Sequence, residues 1–140
     1  MNQDFEANGG CLCGAVSFTA RHARSSIGAC HCDMCRQWSG GPFMGVHCGS
    51  EVIFRGQECI SIYASSAWAE RGFCKRCGSH LFYRLKQSLL YFIPVGLFAE
   101  QDRFTLDRQS YIDCKPAYYE FANATQDMTR AEMLDKYGES

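Results

Sequence analysis

The chain has 140 residues, 10 of them cysteine, and its 14 Lys and Arg against 15 Asp and Glu give a formal net charge of −1. This balance provides no positive field for phosphate backbones, so we expect no nucleic-acid partner. The sequence has no apolar run of roughly 18 residues, which argues against a membrane-spanning segment. The length predicts a single domain over residues 1–140. A core can form at this length, but small folds with many short strands often need covalent or metal cross-links.

The first residues of the chain and its cysteine content both indicate the cellular compartment. Residues 1–6 are acidic where a secretory signal would be basic, and no apolar stretch follows them. We therefore expect a cytoplasmic protein. In a reducing compartment, closely spaced cysteines are more often metal ligands or catalytic thiols than disulfides. A secreted scaffold with five disulfides is the less favoured alternative, because the cysteine content falls just below the range of such scaffolds.

Short β-rich runs predict a mainly β fold. In chain order, the predicted strands cover residues 15–19, 52–54, 60–63, 81–85 and 89–93. The last two strands should form a hairpin through Lys86-Gln87-Ser88. Pro94 should end the final strand or place it at a sheet edge.

Two segments predict helices. Residues 33–38 should form one or two turns after the central cysteines. Thr129 and Glu132 have the spacing of a capping box, which predicts a short C-terminal helix that ends at Gly138.

Two outer pairs of cysteines have the spacing of half zinc sites: Cys11 with Cys13, and Cys74 with Cys77. Each pair can supply two corners of a tetrahedron from one tight turn, and a glycine follows each pair to close that turn. Together they predict a four-thiolate structural zinc that ties distant parts of the chain. The alternative, in which the first pair joins the central cysteines, would leave the second pair without partners.

The central group differs because it contains three thiols, from Cys30, Cys32 and Cys35. A zinc ion held by three protein ligands keeps a fourth position for water or substrate. The spacing equally allows a closed structural site, in which the fourth ligand is His31, Asp33, His47 or Cys48.

An open tris-thiolate zinc would favour sulfur chemistry. Three thiolates make the metal a weaker Lewis acid than three imidazoles would, so it is less able to generate hydroxide. Such a metal suits a fourth thiolate, from a substrate thiol that loses its proton on binding. The predicted catalytic set is therefore Cys30, Cys32 and Cys35, with a zinc-held substrate thiolate that attacks an electrophilic carbon, or the reverse reaction.

Other residues near the cysteines allow two interpretations each. Arg36 and Arg71 could bind a substrate carboxylate, or could simply neutralise thiolates. Phe43 could cover the central metal or pack in the core. We expect His80 to be packed or solvated rather than a ligand. The remaining cysteines have no close cysteine neighbour and should behave as small apolar residues: Cys48, Cys59 and Cys114.

Five segments together resemble the glutathione-dependent formaldehyde-activating enzyme family (centromere-protein-V-like) over about residues 9–98. These are Gly9-Gly10-Cys11-Leu12-Cys13-Gly14-Ala15-Val16, Cys30-His31-Cys32-Asp33-Met34-Cys35-Arg36, Ser39-Gly40, Ser65-Ser66 and Arg71-Gly72-Phe73-Cys74-Lys75-Arg76-Cys77-Gly78-Ser79. The resemblance implies a β-tent fold (mammalian-suppressor-of-Sec-four-like) of short antiparallel strands around two zinc ions per chain. It implies a structural ion on Cys11, Cys13, Cys74 and Cys77, and a catalytic ion on Cys30, Cys32 and Cys35.

The same resemblance implies a function. It predicts a carbon–sulfur lyase that acts on a thiol–aldehyde adduct such as S-hydroxymethylglutathione, with glutathione and formaldehyde as partners. Many members carry a His followed by Ile or Val where this chain has Tyr111-Ile112-Asp113. The competing hypotheses are a non-catalytic zinc-stabilised module that binds a protein, and a thiol redox sensor that forms a disulfide among its central cysteines.

Overall fold

The computed structural model describes residues 4–137, which form two β-sheets. The smaller sheet has three antiparallel strands in the order β1-β2-β5. Their bounds are β1 Asp4–Gly10, β2 Ser17–Arg24 and β5 Val52–Arg55. Side chains of β1 alternate between exposed and half-buried positions, as expected for a strand with one solvated face.

The larger sheet has eight strands within the described range, in the order β11-β10-β3-β4-β9-β8-β7-β6. Their bounds are β3 Ser26–Cys30, β4 Phe43–His47, β6 Ile60–Tyr63, β7 Ala69–Cys74, β8 His80–Leu85, β9 Tyr91–Pro94, β10 Thr105–Ser110 and β11 Gln126–Met128. The predicted mainly β fold is thus confirmed. The expectation of antiparallel pairing needs one correction, because β10 pairs in parallel with both β3 and β11. Long connections between these strands make parallel pairing possible.

Two α-helices complete the described fold, together with three short 3-10 turns. The first helix, α1 (Asp33–Ser39), confirms the prediction for 33–38, and it ends at Gly40 in the left-handed conformation. The second, α2 (Arg130–Tyr137), begins at the predicted capping box. Glu132 N–H donates to Thr129 Oγ1 at 3.2 Å, and Thr129 N–H donates to Glu132 Oε1 at 2.8 Å. The predicted stop at Gly138 lies outside the described residues.

The hydrophobic core lies between the two sheets. Phe18 on β2 is fully buried, and its ring meets Phe98 edge-on at 5.1 Å and Phe54 at 5.9 Å. Leu81 on β8 and Ile93 on β9 are also fully buried in this cluster. Phe54 on β5 also contacts Phe82 on β8, with ring centres 5.4 Å apart, so aromatic packing holds the smaller sheet against the larger one. No helix of residues 4–137 is long and apolar enough to cross a membrane.

The predicted strands 52–54, 60–63 and 81–85 are confirmed as β5, β6 and β8. The strand predicted at 15–19 begins at Ser17, because Val16 belongs to the loop that folds around Cys11. The strand predicted at 89–93 begins at Tyr91, because Leu89 has φ 60° and closes the hairpin turn. Pro94 ends β9, which lies inside the sheet between β4 and β8.

Candidate metal centres and active site

The structure brings the two outer cysteine pairs together. Cys11 and Cys13 lie in the turn after β1, Cys74 ends β7, and Cys77 follows it; the four sulfurs lie within 4.8 Å of one another. The Cys11–Cys13 sulfur distance is 3.7 Å, and the Cys13–Cys74 distance is 3.8 Å. Four sulfurs about 2.3 Å from one zinc in a tetrahedron lie about 3.8 Å apart. These separations fit a zinc tetrahedron and are far longer than a disulfide bond.

Backbone geometry explains how each pair forms half of this cluster. Gly14 and Gly78 close the two turns with φ of 81° and 78°, values that glycine adopts without steric cost. Val16 N–H donates to Cys11 Sγ at 3.3 Å, and a similar backbone bond reaches Cys74 Sγ at 3.4 Å. Such bonds stabilise thiolates, so the turns prepare the sulfurs for a cation.

Ser79 is a part of this cluster for which the sequence predicted no role. Its hydroxyl lies 3.2 Å from Cys77 Sγ and accepts a hydrogen bond from Leu12 N–H at 3.1 Å. Hydrogen bonds from the side chain and backbone of Ser79 lower the pKa of Cys77 to about 5. Ser79 therefore connects the two turns and favours the thiolate form.

The central cysteines also converge. Cys30 ends β3, Cys32 is the N-cap of α1, and Cys35 lies in the first turn of that helix, so that the three sulfurs lie within 4.8 Å of one another. Cys35 N–H donates to Cys32 Sγ at 3.4 Å. Among the described residues, no His, Asp or Glu joins this group of three.

His31 lies between two of these cysteines in sequence, but its ring is held elsewhere. The ring is fully buried, with Nε2 2.7 Å from Gln109 Oε1 and Nδ1 2.8 Å from the Tyr119 hydroxyl. Gln109 Nε2 donates to Thr125 Oγ1 at 2.8 Å, which leaves Oε1 as the acceptor and assigns the ring proton to Nε2. Burial lowers the pKa of His31 and favours this neutral form.

The other suggested fourth ligands are also placed away from the central sulfurs. His47 Nδ1 accepts a hydrogen bond from Gly49 N–H at 3.2 Å, and Cys48 Sγ donates to the Val46 carbonyl at 3.4 Å. Asp33 forms an ion pair with Arg36 at 2.6 Å. The described residues thus offer the central site three sulfurs and no fourth protein donor from these candidates.

The central thiols share negative charge unequally. Hydrogen bonds from Cys30 and Cys35 lower the pKa of Cys32 to about 2. Hydrogen bonds with Cys32 and Cys35, and then burial, raise the pKa of Cys30 well above its usual value. The pKa of Cys35 rises to about 11, because the Cys30 hydrogen bond that lowers it is outweighed by Cys32 and burial. The group thus consists of one thiolate and two thiols. A metal cation could bind all three sulfurs by displacing the two thiol protons.

Arg71 on β7 carries a positive charge that contacts one of these sulfurs. Its side chain is only 3% exposed, and Nη2 donates to Cys35 Sγ at 3.6 Å. Its guanidinium carbon lies 4.9 Å from the ring centre of Trp38 and 4.8 Å from that of Tyr83. Cation–π contacts and the charge-assisted bond hold the guanidinium beside the central cluster.

A cavity of about 790 Å³ opens over the central cysteines. Its walls come from both helices, from strands β3, β4 and β7 to β11, and from the loops at 65–68 and 86–88. Met128, Met133 and Leu134 contribute apolar surface, whereas its basic side chains are Arg71, Lys86, Arg108, Arg130 and Lys136. The volume suits a small organic ligand, and the charge favours an anionic one.

Tyr111, where the sequence departs from the pattern of the resemblance, lines this cavity. It has a left-handed φ of 55°. Burial, and then the negative charge of Cys30 and Cys32, raise its pKa to about 12, so the hydroxyl stays protonated. Tyr111 therefore adds a neutral phenol to the wall of the cavity beside the central cluster.

The remaining candidates have structural surroundings. Arg36 donates to the His31 carbonyl at 2.9 Å and braces the central loop. Phe43 is buried at the start of β4, as its predicted core role requires, and it also lines the cavity. His80 stacks on Trp38 with ring centres 3.9 Å apart, as expected for a packed histidine. Neither cysteine cluster includes the other three thiols: Cys48, Cys59 and Cys114.

Residues 6–114 match the model of the family described as glutathione-dependent formaldehyde-activating enzyme. This match covers most of the chain. The chain belongs to this family. The match extends beyond the 9–98 of the sequence resemblance and reaches the cavity-lining segment around Tyr111.

Two proteins of similar sequence and one of similar structure were also compared with this chain. A Schizosaccharomyces pombe protein named an uncharacterised lyase is 38% identical over 130 residues, covering 92% of this chain and 95% of its own. A Halomonas elongata protein, provisionally named a glutathione-dependent formaldehyde-activating enzyme, is 31% identical over 83 residues, or 53% of each chain. A crystal structure of a Rhodobacter sphaeroides protein has a TM-score of 0.58 at 22% identity, covering 66% of this chain and 87% of the other, and supports the fold alone.

Proposed function

We propose that this protein is a zinc-dependent carbon–sulfur lyase that acts on a thiol–aldehyde adduct, with S-hydroxymethylglutathione, formed from glutathione and formaldehyde, as the best candidate. The observation that carries the proposal is that Cys30, Cys32 and Cys35 converge at a cavity of about 790 Å³ with no fourth donor from the described His, Asp and Glu side chains. Three sulfurs beside a ligand-sized space match a catalytic site better than a closed structural one.

The donor chemistry fits two zinc ions per chain. Cys11, Cys13, Cys74 and Cys77 would hold the structural ion, and the sulfur separations of 3.7 and 3.8 Å suit it. Cys30, Cys32 and Cys35 would hold the catalytic ion. When bound, that zinc would supply a cationic centre that keeps a substrate thiol deprotonated.

The chain's own residues would bind and orient the adduct. The basic side chains around the cavity favour a substrate with carboxylates, such as glutathione, over a neutral thiol. Apolar surface from Met133 and Leu134 would exclude water from the reacting atoms. Arg71 would offset negative charge at the central sulfurs. We further propose a cytoplasmic location, where glutathione is abundant and thiols stay reduced.

The proposal is tested with zinc-loaded protein, glutathione and formaldehyde. Exchange NMR would measure how fast free formaldehyde and S-hydroxymethylglutathione interconvert, relative to the uncatalysed rate. Cys32→Ser should abolish the acceleration and remove one zinc while the far-UV circular dichroism stays native. Cys114→Ser is the matched control, since Cys114 lies outside both clusters, and it should keep full activity. A native fold with two tightly bound zinc ions but no acceleration by the wild type would favour a protein-binding module.

A further inference from the structure

One polar atom beside the central cluster has no hydrogen-bond partner within the described chain. It is Arg71 Nη1, a buried guanidinium nitrogen. The other two nitrogens of the same side chain are engaged: Nε donates to Ser65 Oγ at 3.3 Å and Nη2 to Cys35 Sγ at 3.6 Å. A buried charged donor without a partner is costly, so its retention calls for a physical reason.

The residues around Arg71 hold its guanidinium group in one position. The side chain is 3% exposed and is held between contacts to Trp38 and Tyr83, and Tyr83 is also its neighbour across the β7–β8 pairing. Arg71 lines the same cavity as the central cysteines. Aromatic packing and two hydrogen bonds have already removed most of the rotamer freedom of the guanidinium. Because Nη1 itself is buried, a substrate oxygen in the cavity reaches it only when a neighbouring side chain shifts on binding.

We propose that Arg71 is a catalytic residue whose free Nη1 donates a hydrogen bond to the aldehyde-derived oxygen of the substrate. This inference rests on the proposed lyase function. In the addition direction, a lone pair of the substrate sulfur forms the S–C bond, and the π electrons of the carbonyl move to its oxygen. That oxygen takes a proton from water, and the thiol proton has already passed to solvent. Arg71 stays protonated throughout and stabilises the negative oxygen.

The position of Nη1 favours the reacting oxygen over a distant carboxylate. Nη2 of the same guanidinium already contacts Cys35 Sγ, so Nη1 lies in the immediate surroundings of the three sulfurs. In a hydroxymethyl thioether the oxygen is two bonds from the sulfur, whereas the carboxylates of glutathione are several bonds further away. The basic residues on the outer walls, such as Lys86 and Arg130, are the better partners for those carboxylates.

The test compares Arg71→Lys and Arg71→Gln with the wild type, all zinc-loaded, by exchange NMR. Formaldehyde is combined with glutathione in one series and with 2-mercaptoethanol, which has no carboxylate, in the other. We expect Arg71→Gln to lower kcat by about 100-fold with both thiols, the size of effect seen when an oxyanion donor is removed. Arg71→Lys should fall between it and the wild type. Arg55→Lys is the control, since Arg55 lies on the exposed face of the smaller sheet, and it should match the wild type.

A second readout does not depend on turnover. Cobalt-substituted protein would be titrated with glutathione, and the sulfur-to-cobalt absorption would report thiol affinity. Because Nη1 is proposed to act on an oxygen that free glutathione lacks, Arg71→Gln should bind the thiol within about threefold of the wild type and should keep two metal ions.

Each alternative outcome is informative. A kcat or KM effect confined to glutathione would overturn the proposal in favour of carboxylate binding. Unchanged kinetics with both thiols, or loss of the central metal from both variants, would also overturn it, since the guanidinium would then be dispensable or structural. If the wild type itself shows no acceleration, the proposed lyase function is wrong. That result differs from those that overturn the role of Arg71, in which the wild type is active.

Discussion

Cys13 and Cys74 are separated by 61 positions in the chain, yet their sulfur atoms lie 3.8 Å apart. The first follows β1 of the smaller sheet, and the second ends β7 of the larger sheet. The outer cysteine cluster therefore joins the two sheets at one edge of the core. A metal ion there would close a long loop, which reduces the entropy of the unfolded chain.

The two cysteine clusters should differ in what their loss does to stability. Cys74→Ser should remove one of two zinc ions and lower Tm by at least about 10 °C, because a structural metal contributes several kcal/mol to folding. Cys32→Ser should also remove one zinc but lower Tm by less, since its cluster lies within the short segment 30–35. Zinc analysis with differential scanning calorimetry would measure both. Equal losses of Tm would contradict the division into structural and catalytic sites.

Gly56, which directly follows β5 and packs against the backbone of Ala15, should be harder to replace than Gly49. It has φ 81°, and a Cβ there would lie 2.0 Å from the Ala15 carbonyl oxygen. Gly49 has a similar φ of 66°, but a Cβ added there would meet nothing within 4 Å. Gly49→Ala should therefore cost about 1 kcal/mol from backbone strain alone, and Gly56→Ala clearly more. Urea denaturation of both variants measures the difference, and equal costs would show that the clash relaxes freely.

The sequence predicted some strands from their dense apolar residues and missed others, such as β3, β4 and β7. β5 and β6 are short β-branched or aromatic runs, and both were predicted. β7 (Ala69–Cys74) was not, because Glu70, Arg71 and Gly72 interrupt its apolar pattern. Gly72 is required there because a Cβ would lie 2.4 Å from the ring of Phe82, its partner on the neighbouring strand β8. Tertiary packing, rather than propensity, decides this strand.

Much of the candidate site was predictable for a chemical reason. Cysteine spacing within a turn limits which sulfurs can meet, so both clusters were predicted from local sequence. Spacing does not reveal which way a ring points. His31 adjoins two central cysteines, yet Gln109, 78 positions later, holds its ring away from them. The partnerless nitrogen of Arg71 is likewise a property of the assembled cavity and not of any motif.

Gln109 should be a positioning residue for the central loop. Gln109→Ala would leave buried His31 Nε2–H without its acceptor, which should cost about 1–3 kcal/mol. The loop that carries Cys30 and Cys32 would also be less firmly held. We therefore expect weaker zinc retention at the central site in competition with a chelator, while the outer site is unchanged. Gln57→Ala is the control, since Gln57 is an exposed glutamine that donates to the Phe54 carbonyl at 3.2 Å. Equal zinc retention by both variants would contradict the positioning role.

His47 should make stability fall in mildly acidic solution. Burial, with smaller contributions from Arg24 and Arg108, lowers its pKa from 6.5 to about 4. Between these pH values the unfolded chain binds a proton that the folded chain does not, so stability is unaffected above pH 6.5 and decreases as pH falls towards 4. The loss for this side chain is at most about 3 kcal/mol. His47→Asn keeps an acceptor near the position of Nδ1 for Gly49 N–H and cannot titrate. Urea denaturation from pH 7 to 4.5 should show a steeper decline in the free energy of unfolding for the wild type than for His47→Asn. Any loss of zinc in acid affects both proteins and so does not produce this difference. Parallel curves would mean that His47 has the same pKa in the folded and unfolded chains.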